Sequence, residues 1–450
     1  MRSLLVLLIV FGSLPITLVR PYVGVLMWTW IGLMSPHRLT WGVAQIFPSA
    51  LAIGVVTIVG WIMSREPKRI PMTATTVLLV LLTGWFTLTT VFAVMQDDAW
   101  TKWNTTMKVI LFTFIMMSVM RSERQIKLLV LVATLSIGFY GIRGGVFTIV
   151  TGGNYRVFGP PGTFIGDNNA LALALIMILP LFRYLQLYAP NWWLRLGFLG
   201  GLGLTFVAII GTYSRGAMVG MAAMLLFLWL KSRQRFVLAI VFAGLIGGGL
   251  AFMPAQWMAR MNTINDSKKD DSAQGRLDAW LLAIKIAQDS PIVGGGFKVS
   301  TSQELWAKYR PGKTVRAFHS VYFEMLGGHG FVGLAIFLML GISTMQTGRR
   351  IIRMTRRRPE LTWARDLAAM IQVGLVGYAV AGAFLNLATF DLYYTYIAIL
   401  VMLERFVSEQ IEAADQAAAE PVRDEPVAVP EIAASTATVD HANSVFVRTR

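Results

Sequence analysis

Two arginines and a histidine carry the most chemistry in this sequence. Arg215 stands in the turn Gly211-Thr-Tyr-Ser-Arg-Gly216, between two apolar runs. A guanidinium presents a planar fork of donors that matches the oxygens of a phosphate or carboxylate. The neighbouring glycine, serine and threonine let an anion approach the backbone. A plainer reading is an arginine at a helix end, reaching to lipid headgroups. Arg276 stands in Gln274-Gly-Arg-Leu-Asp-Ala-Trp280, where Leu277, Trp280, Leu281 and Ile284 recur at helical spacing. The spacing predicts an amphipathic helix over 275–288, ended by Asp289-Ser290-Pro291. Arg276 then sits at a helix N-terminus, where dipole, unpaired N–H groups and side-chain charge all favour an anion. Its alternative is a solvated arginine beside Asp271 or Asp278. His319, in Arg316-Ala-Phe-His-Ser-Val-Tyr322-Phe-Glu324, lies at the mouth of the next apolar run. An imidazole there suits proton transfer near neutral pH, although a lone histidine is commonly structural. Arg156, Arg316, Tyr322 and Glu324 are candidate supporting groups. His329 is deeper in the same run, and Gly327, Gly328 and Gly330 around it point to helix packing rather than chemistry.

The elements that must hold these residues are membrane helices. The chain has 450 residues, 55% hydrophobic and only 14% charged, with mean hydropathy +0.60. Soluble proteins carry about 25% charged residues. Apolar runs of membrane-crossing length, for a hydrocarbon core of about 30 Å, fall near 43–63, 75–95, 104–120, 126–150, 168–188, 194–213, 216–231, 235–254, 321–346, 364–386 and 388–405. Residues 4–34 read as one further crossing, a helix broken at Arg20-Pro21, because its two halves are short for separate spans; two crossings would make 13 spans and put the N-terminus outside. Leu4–Val19 resembles a signal peptide, but no small-residue cleavage site follows, so it reads as an uncleaved membrane segment. The expected fold is therefore all-α, a polytopic bundle of about 12 transmembrane helices. Four regions follow: helices over 1–254, an extramembrane loop with amphipathic helices over 255–320, helices over 321–406, and a disordered tail over 407–450 rich in Ala, Pro, Val, Asp and Glu.

Charge sets the orientation. Arg65-Lys68-Arg69, Arg121-Arg124-Lys127, Lys231-Arg233-Arg235 and Arg349 to Arg358 fall on every second loop, which makes those loops and the tail cytoplasmic. The same alternation puts 96–103, 151–168, 212–216, 254–320 and the turn at 386–391 outside, with every candidate residue. The net charge of +16 is thus distributed as a membrane topology signal that suits anionic lipid, and nucleic acid is not an expected partner. With no cysteine there is no disulfide, thiolate nucleophile or Cys-ligated metal, and the four histidines are too scattered for a metal site.

Gly275-Arg276, Trp280, Pro291-Ile-Val-Gly294-Gly-Gly296-Phe297, His319-Ser320, Tyr322, Gly327 and Gly330, taken in order, resemble the signature region of the bacterial O-antigen ligase family. That family shares its membrane domain with O-antigen polymerases and protein-glycosylating ligases. The Ser-Arg-Gly turn at 214–216 matches the family's position between mid-chain spans, and the characteristic region covers about residues 200–345. Met34-Ser-Pro-His-Arg-Leu-Thr-Trp41 and the Gly-Pro-Pro-Gly-Thr-Phe-Ile-Gly-Asp-Asn loop (159–168) resemble the branch that includes exosortase-associated ligases. Ser320 departs from the family's usual asparagine but keeps a hydrogen-bonding group.

The resemblance implies a glycosyltransferase at the periplasmic face of the bacterial inner membrane. It would move a glycan from undecaprenyl diphosphate, the donor, to a sugar hydroxyl of lipid A-core, the acceptor, in lipopolysaccharide assembly. No cofactor or metal is expected: Arg215 and Arg276 would clamp the departing diphosphate and His319 would deprotonate or orient the acceptor hydroxyl, inverting the anomeric carbon. A polymerase or protein O-oligosaccharyltransferase using the same donor is the nearest alternative. A lipid-linked glycan transporter is a more distant one, because the ionisable groups cluster at one face instead of inside several helices.

Overall fold

In hydrocarbon a backbone must satisfy its own hydrogen bonds, and for a chain of leucine, isoleucine and valine runs this selects the helix. Helices are the only regular elements among the described residues of the computed structural model, which are 1–231, 253–262 and 271–419 with isolated positions 236, 243, 244, 247 and 248. The helices are α1 (Arg2–Val19), α2 (Pro21–Met34), α3 (Val43–Ile46), α4 (Ser49–Met63), α5 (Ala74–Val91), α6 (Gln96–Val119), α7 (Glu123–Val150), α8 (Asn168–Leu187), α9 (Trp192–Gly211) and α10 (Arg215–Lys231). After the interval around 232–252 come α11 (Ala255–Asn262), α12 (Asp271–Asp289), α13 (Gln303–Tyr309), α14 (Val321–Met354), α15 (Thr362–Ala381) and α16 (Asp391–Ala419). Residues 1–409 form one compact unit.

Seven described helices are long and apolar enough to cross a membrane: α1, α5, α7, α8, α9, α14 and α15, with α2 and α4 shorter apolar helices. The all-α architecture is as expected, with seven such helices among the described residues where about a dozen spans were expected, and the expected span 235–254 lies almost wholly outside the described residues. α8 is the most enclosed of the seven. Leu171 to Ile178 are fully buried, and the Tyr396 hydroxyl of α16 donates to the Met177 carbonyl at its middle. α16 also runs past the expected end of its span and stays helical to Ala419, so the tail expected from 407 begins with more than three helical turns; residues 420–450 lie outside the described residues.

Two expectations are corrected. Residues 4–34 are not one broken crossing: α1 and α2 fold back on each other at Arg20. Val10 and Ile31 share one buried cluster with Val6 and Ile53. A methyl group on Gly24 would lie 2.4 Å from the Thr17 methyl, and Ser3 Oγ donates to the Trp41 carbonyl at 2.9 Å. Proline at the first position of α2 lets the new helix start one residue after the old one ends. Nor does α12 begin at Gly275. It begins by Asp271, which moves Arg276 into the second turn and away from the free N–H groups of the helix start. Its buried face is Ala279, Leu282, Ala283, Ile286 and Ala287, packed with Val299, Trp306 and Phe318, whereas Leu277 and Leu281 are exposed. Where α14 approaches most closely the buried residue is a small alanine: a methyl on Gly327 would stand 3.1 Å from Ala283.

The loops sort into the two sets that charge alternation separates. At one end Trp61 Nε1 donates to Ser118 Oγ (3.2 Å), Tyr188 to Asp366 (2.8 Å), Arg405 to the Met117 carbonyl (3.0 Å), and Arg350 pairs with Glu404 (2.6 Å). At the other, Val94 N–H donates to Gly295, Val157 N–H to Gly211 (both 3.0 Å) and Asn168 Nδ2 to Thr212 (2.7 Å).

Candidate active site

α14 is broken at Gly330, whose φ of 70° and ψ of −174° belong to no helix. The break frees backbone groups, and the glycine-rich segment after α12 takes them up. Gly295 N–H donates to Gly327 (2.9 Å), Gly296 N–H to Gly328 (2.7 Å), and Phe331 N–H to Pro291 (2.9 Å). This ladder clamps the end of α12 onto the start of α14. His329 sits buried within it, its ring between Phe86 (4.6 Å) and Phe297 (4.5 Å) and its Nδ1 bonded to Thr89 Oγ1 (2.7 Å). Its role is packing, as the surrounding glycines indicate.

The other end of α12 is tied to the segment before α14. Trp280 Nε1 donates to the Phe318 carbonyl (2.8 Å), and its ring stacks on Phe323 with centroids 4.9 Å apart. Phe318 is buried in the α12 core. His319 follows with φ 49°, a left-handed conformation that turns its half-buried ring out of the run. Ser320 caps α14 by accepting from Phe323 N–H. The Arg316 guanidinium lies against Gly275, where a methyl would come within 2.5 Å of it. Burial first, then the Arg276 charge, hold the His319 imidazole below its ordinary 6.5; Arg316 adds to this and Asp167 opposes it.

Asp167 arrives from the facing wall. It caps α8, accepting from Asn169 and Ala170 N–H at 2.8 and 3.3 Å. Its neighbour Asn168 holds the Thr212 carbonyl. In that turn Tyr213 takes φ 58°, and Ser214 Oγ accepts from Ala217 N–H (3.3 Å), which makes Arg215 the first residue of α10. Gly216 packs on Phe384 and Gly382 on Val321, so the Arg215 turn and the His319 segment flank the same short stretch at 382–384.

The structure thus brings Arg276, Arg316, His319 and Asp167 into electrostatic contact and sets Arg215 at the same end of the bundle. Three sequence candidates lie elsewhere. The Tyr322 hydroxyl donates to Ala379 of α15 (2.6 Å). Glu324 accepts from Ala388 N–H (3.2 Å) and lines a separate cavity of about 140 Å³ with Lys102, Lys298 and Asn386. Arg156 stands 5.8 Å from the Tyr213 ring centroid and lines the cavity formed by residues 156–161 and α7. Sequence reasoning missed Asp167, because Asp-Asn before an apolar run reads as an ordinary helix cap. Its one signal was an acidic residue on the face that carries the candidate cations. Among the described residues no three His, Asp or Glu side chains converge as metal ligands would.

Fold and site define a multi-pass helical membrane protein with a cation-flanked imidazole at one end of its bundle. Residues 200–338, a region that holds Arg215, Arg276, Arg316 and His319, match the family model described as O-antigen ligase. Residues 1–189 match a family of unknown function, and no curated protein matches the chain. Members of the O-antigen ligase family are membrane glycosyltransferase-type enzymes, ligases and polymerases.

Proposed function

We propose that this chain is a periplasmic-face ligase that transfers O-antigen glycan from undecaprenyl diphosphate to a sugar hydroxyl of lipid A-core. The observation that carries the reading is the half-buried His319 imidazole, held below its ordinary value first by burial and then by Arg276 and Arg316, and faced by Asp167. A base kept neutral by burial and neighbouring cations can accept the proton of the acceptor hydroxyl, a role worth roughly 10²–10⁴-fold. The carboxylate of Asp167 then stabilises the imidazolium that forms. As the acceptor oxygen bonds to the anomeric carbon, the bond from that carbon to phosphate breaks, and the diphosphate leaves with its electron pair. Arg215 and Arg276 supply paired donors to that growing charge, each such contact worth about 3–4 kcal/mol in a water-poor site. Direct displacement inverts the anomeric centre, and the diphosphate linkage is itself the activated bond, so no further energy source is needed.

The orientation rests on the segregation of loops. The end built by Arg121, Arg350, Arg405 and their neighbours is rich in basic residues and reads as cytoplasmic. The Arg20 turn joins it, since a methyl on Gly60 would meet the Thr17 and Leu18 carbonyls at 2.8 Å. His319 and its partners then face the periplasm.

The test is transfer by purified protein in EDTA, with lipid A-core, free repeat unit or a pilin-like protein offered in turn. Lipid A-core is expected to be the acceptor. Transfer confined to free repeat units would make the enzyme a polymerase, and transfer confined to protein a protein O-oligosaccharyltransferase. Strict dependence on added Mg²⁺ or Mn²⁺ would assign the leaving group to a metal instead of the arginines.

A further inference from the structure

Outside the His319 cluster, the loop 151–161 and the outer turns of α7 enclose a cavity of about 430 Å³ lined by Leu39, Tyr140, Arg143, Phe147, Arg156 and Pro160 among others. Its size falls within the roughly 300–1,000 Å³ of small-ligand sites. Its two cations are out of keeping with their surroundings. Arg143 lies seven residues before the end of α7, about 10 Å along the helix. Val146, Phe147 and Val150, which share its side of the helix, are exposed apolar residues, the pattern of a lipid-facing stripe. Arg143 is exposed with them. A guanidinium at such a depth is costly unless an anion meets it, and among the described residues neither Arg143 nor Arg156 forms an ion pair. The cavity therefore combines an apolar wall open towards lipid with two guanidinium groups at its polar end. Charge complementarity calls for a phosphorylated amphiphile.

The cavity is also wired to the candidate active site. Arg156 stands over Tyr213, and the Tyr213 hydroxyl donates to the Gly153 carbonyl while Val157 N–H donates to Gly211. The loop that forms the cavity thus rests on the turn that carries Arg215, two residues past Tyr213. Transfer between two lipid-anchored molecules needs two moorings whose reacting ends converge. The donor diphosphate is assigned to Arg215 and Arg276, neither of which lines this cavity.

We infer that the Arg143–Arg156 cavity moors a phosphate of the lipid-anchored acceptor, a phosphorylated lipid A. This rests on the ligase reading, but binding tests it without transfer. The probes are bisphosphorylated lipid A, the same lipid A after phosphatase treatment, and undecaprenyl diphosphate. Each is titrated against full-length protein in nanodiscs, wild type and Arg143→Gln/Arg156→Gln. Wild type is expected to bind the phosphorylated form about tenfold more tightly than the dephosphorylated one, the effect of roughly one charge-assisted contact. The double variant loses that preference and keeps its affinity for undecaprenyl diphosphate. Retention of the preference by a double variant with an unchanged melting midpoint overturns the proposal. A selective loss of undecaprenyl diphosphate binding would assign the cavity to the donor, and equal competition by phosphatidylglycerol would make it a general lipid site; either result also overturns it. If no ligation to lipid A-core is found while the phosphate preference holds, the transfer reading fails and the mooring stands.

Discussion

His319 has to be neutral when the acceptor arrives and charged once the hydroxyl has reacted, and its neighbours divide those demands. Burial and Arg276 keep the resting imidazole neutral, and Asp167 favours the charged form. His319→Ala is therefore expected to lower transfer at least 100-fold, within the usual reach of a general base, while the lipid-linked donor still binds. Arg215→Ala and Arg276→Ala should weaken donor binding and turnover together, because a guanidinium touches the diphosphate before and during cleavage. Lysine at either position should rescue poorly, as a point charge lacks the paired fork. Transfer by purified variants beside a donor-binding titration separates the roles, and full activity of His319→Ala would remove the proton-transfer role. The pH profile gives a signed check. A base held low loses its proton at lower pH, so the acid limb of kcat/KM lies below the ordinary histidine value of 6.5. Arg276→Gln relieves the repulsion and should move that limb up, whereas Asp167→Asn should move it down. Arg276, Arg316 and His319 could be picked from the sequence because a short stretch of chain collects them on one face. Asp167 could not, since it comes from a loop some 150 residues away and its local pattern is fully explained by capping.

Elements deliver these side chains only because α14 is interrupted. An unbroken helix would leave Pro291–Phe297 with no carbonyls or N–H groups to pair with, and α12 would lose its anchor. Gly330 permits the break: its φ of 70° and ψ of −174° are essentially closed to other residues, and a methyl there would stand 2.2 Å from the Ile292 carbonyl oxygen. Gly330→Ala is expected to cost about 1–3 kcal/mol for the backbone conformation alone. It should lower the thermal midpoint in detergent and reduce transfer with it. Gly84→Ala, where a methyl meets nothing within 4 Å, is the matched control and should leave both unchanged. An unaltered midpoint for Gly330→Ala would mean that the break is not fixed by this residue. The sequence shows glycines at 327, 328 and 330 but not which of them interrupts the helix, because that depends on a partner segment thirty-odd residues earlier. The rotated face of α12 has a similar origin. Leu277 and Leu281 are exposed, and the face turned inward is the one that carries Ala279 and Ala283, where α14 approaches closely.

At the scale of the whole molecule, alternation of basic loops was legible because it depends on counting charges and not on packing. The loops joined by hydrogen bonds at each end are the ones that alternation groups together. The fold-back of α1 on α2 was one of two readings that the sequence left open, since a single Arg-Pro step between two apolar runs gives no loop to count. It has a consequence for the N-terminus. A single broken crossing would leave residue 3 on the side of the basic loops, whereas the hairpin returns it to Trp41 and the outer set, with Arg20 joining the basic end. The absence of cysteine makes the test direct. In intact spheroplasts an impermeant thiol reagent should label Ser3→Cys and Trp41→Cys and spare Arg20→Cys, which reacts only after permeabilisation. A cysteine at 314, beside the candidate site, should label with the first pair, and one at Ser408 should behave like Arg20→Cys. Protection of Ser3→Cys with labelling of Trp41→Cys would restore the single crossing and separate the two ends that the Ser3–Trp41 hydrogen bond joins. Protection of the cysteine at 314 would invert the map and place the His319 cluster on the cytoplasmic side, out of reach of a periplasmic acceptor.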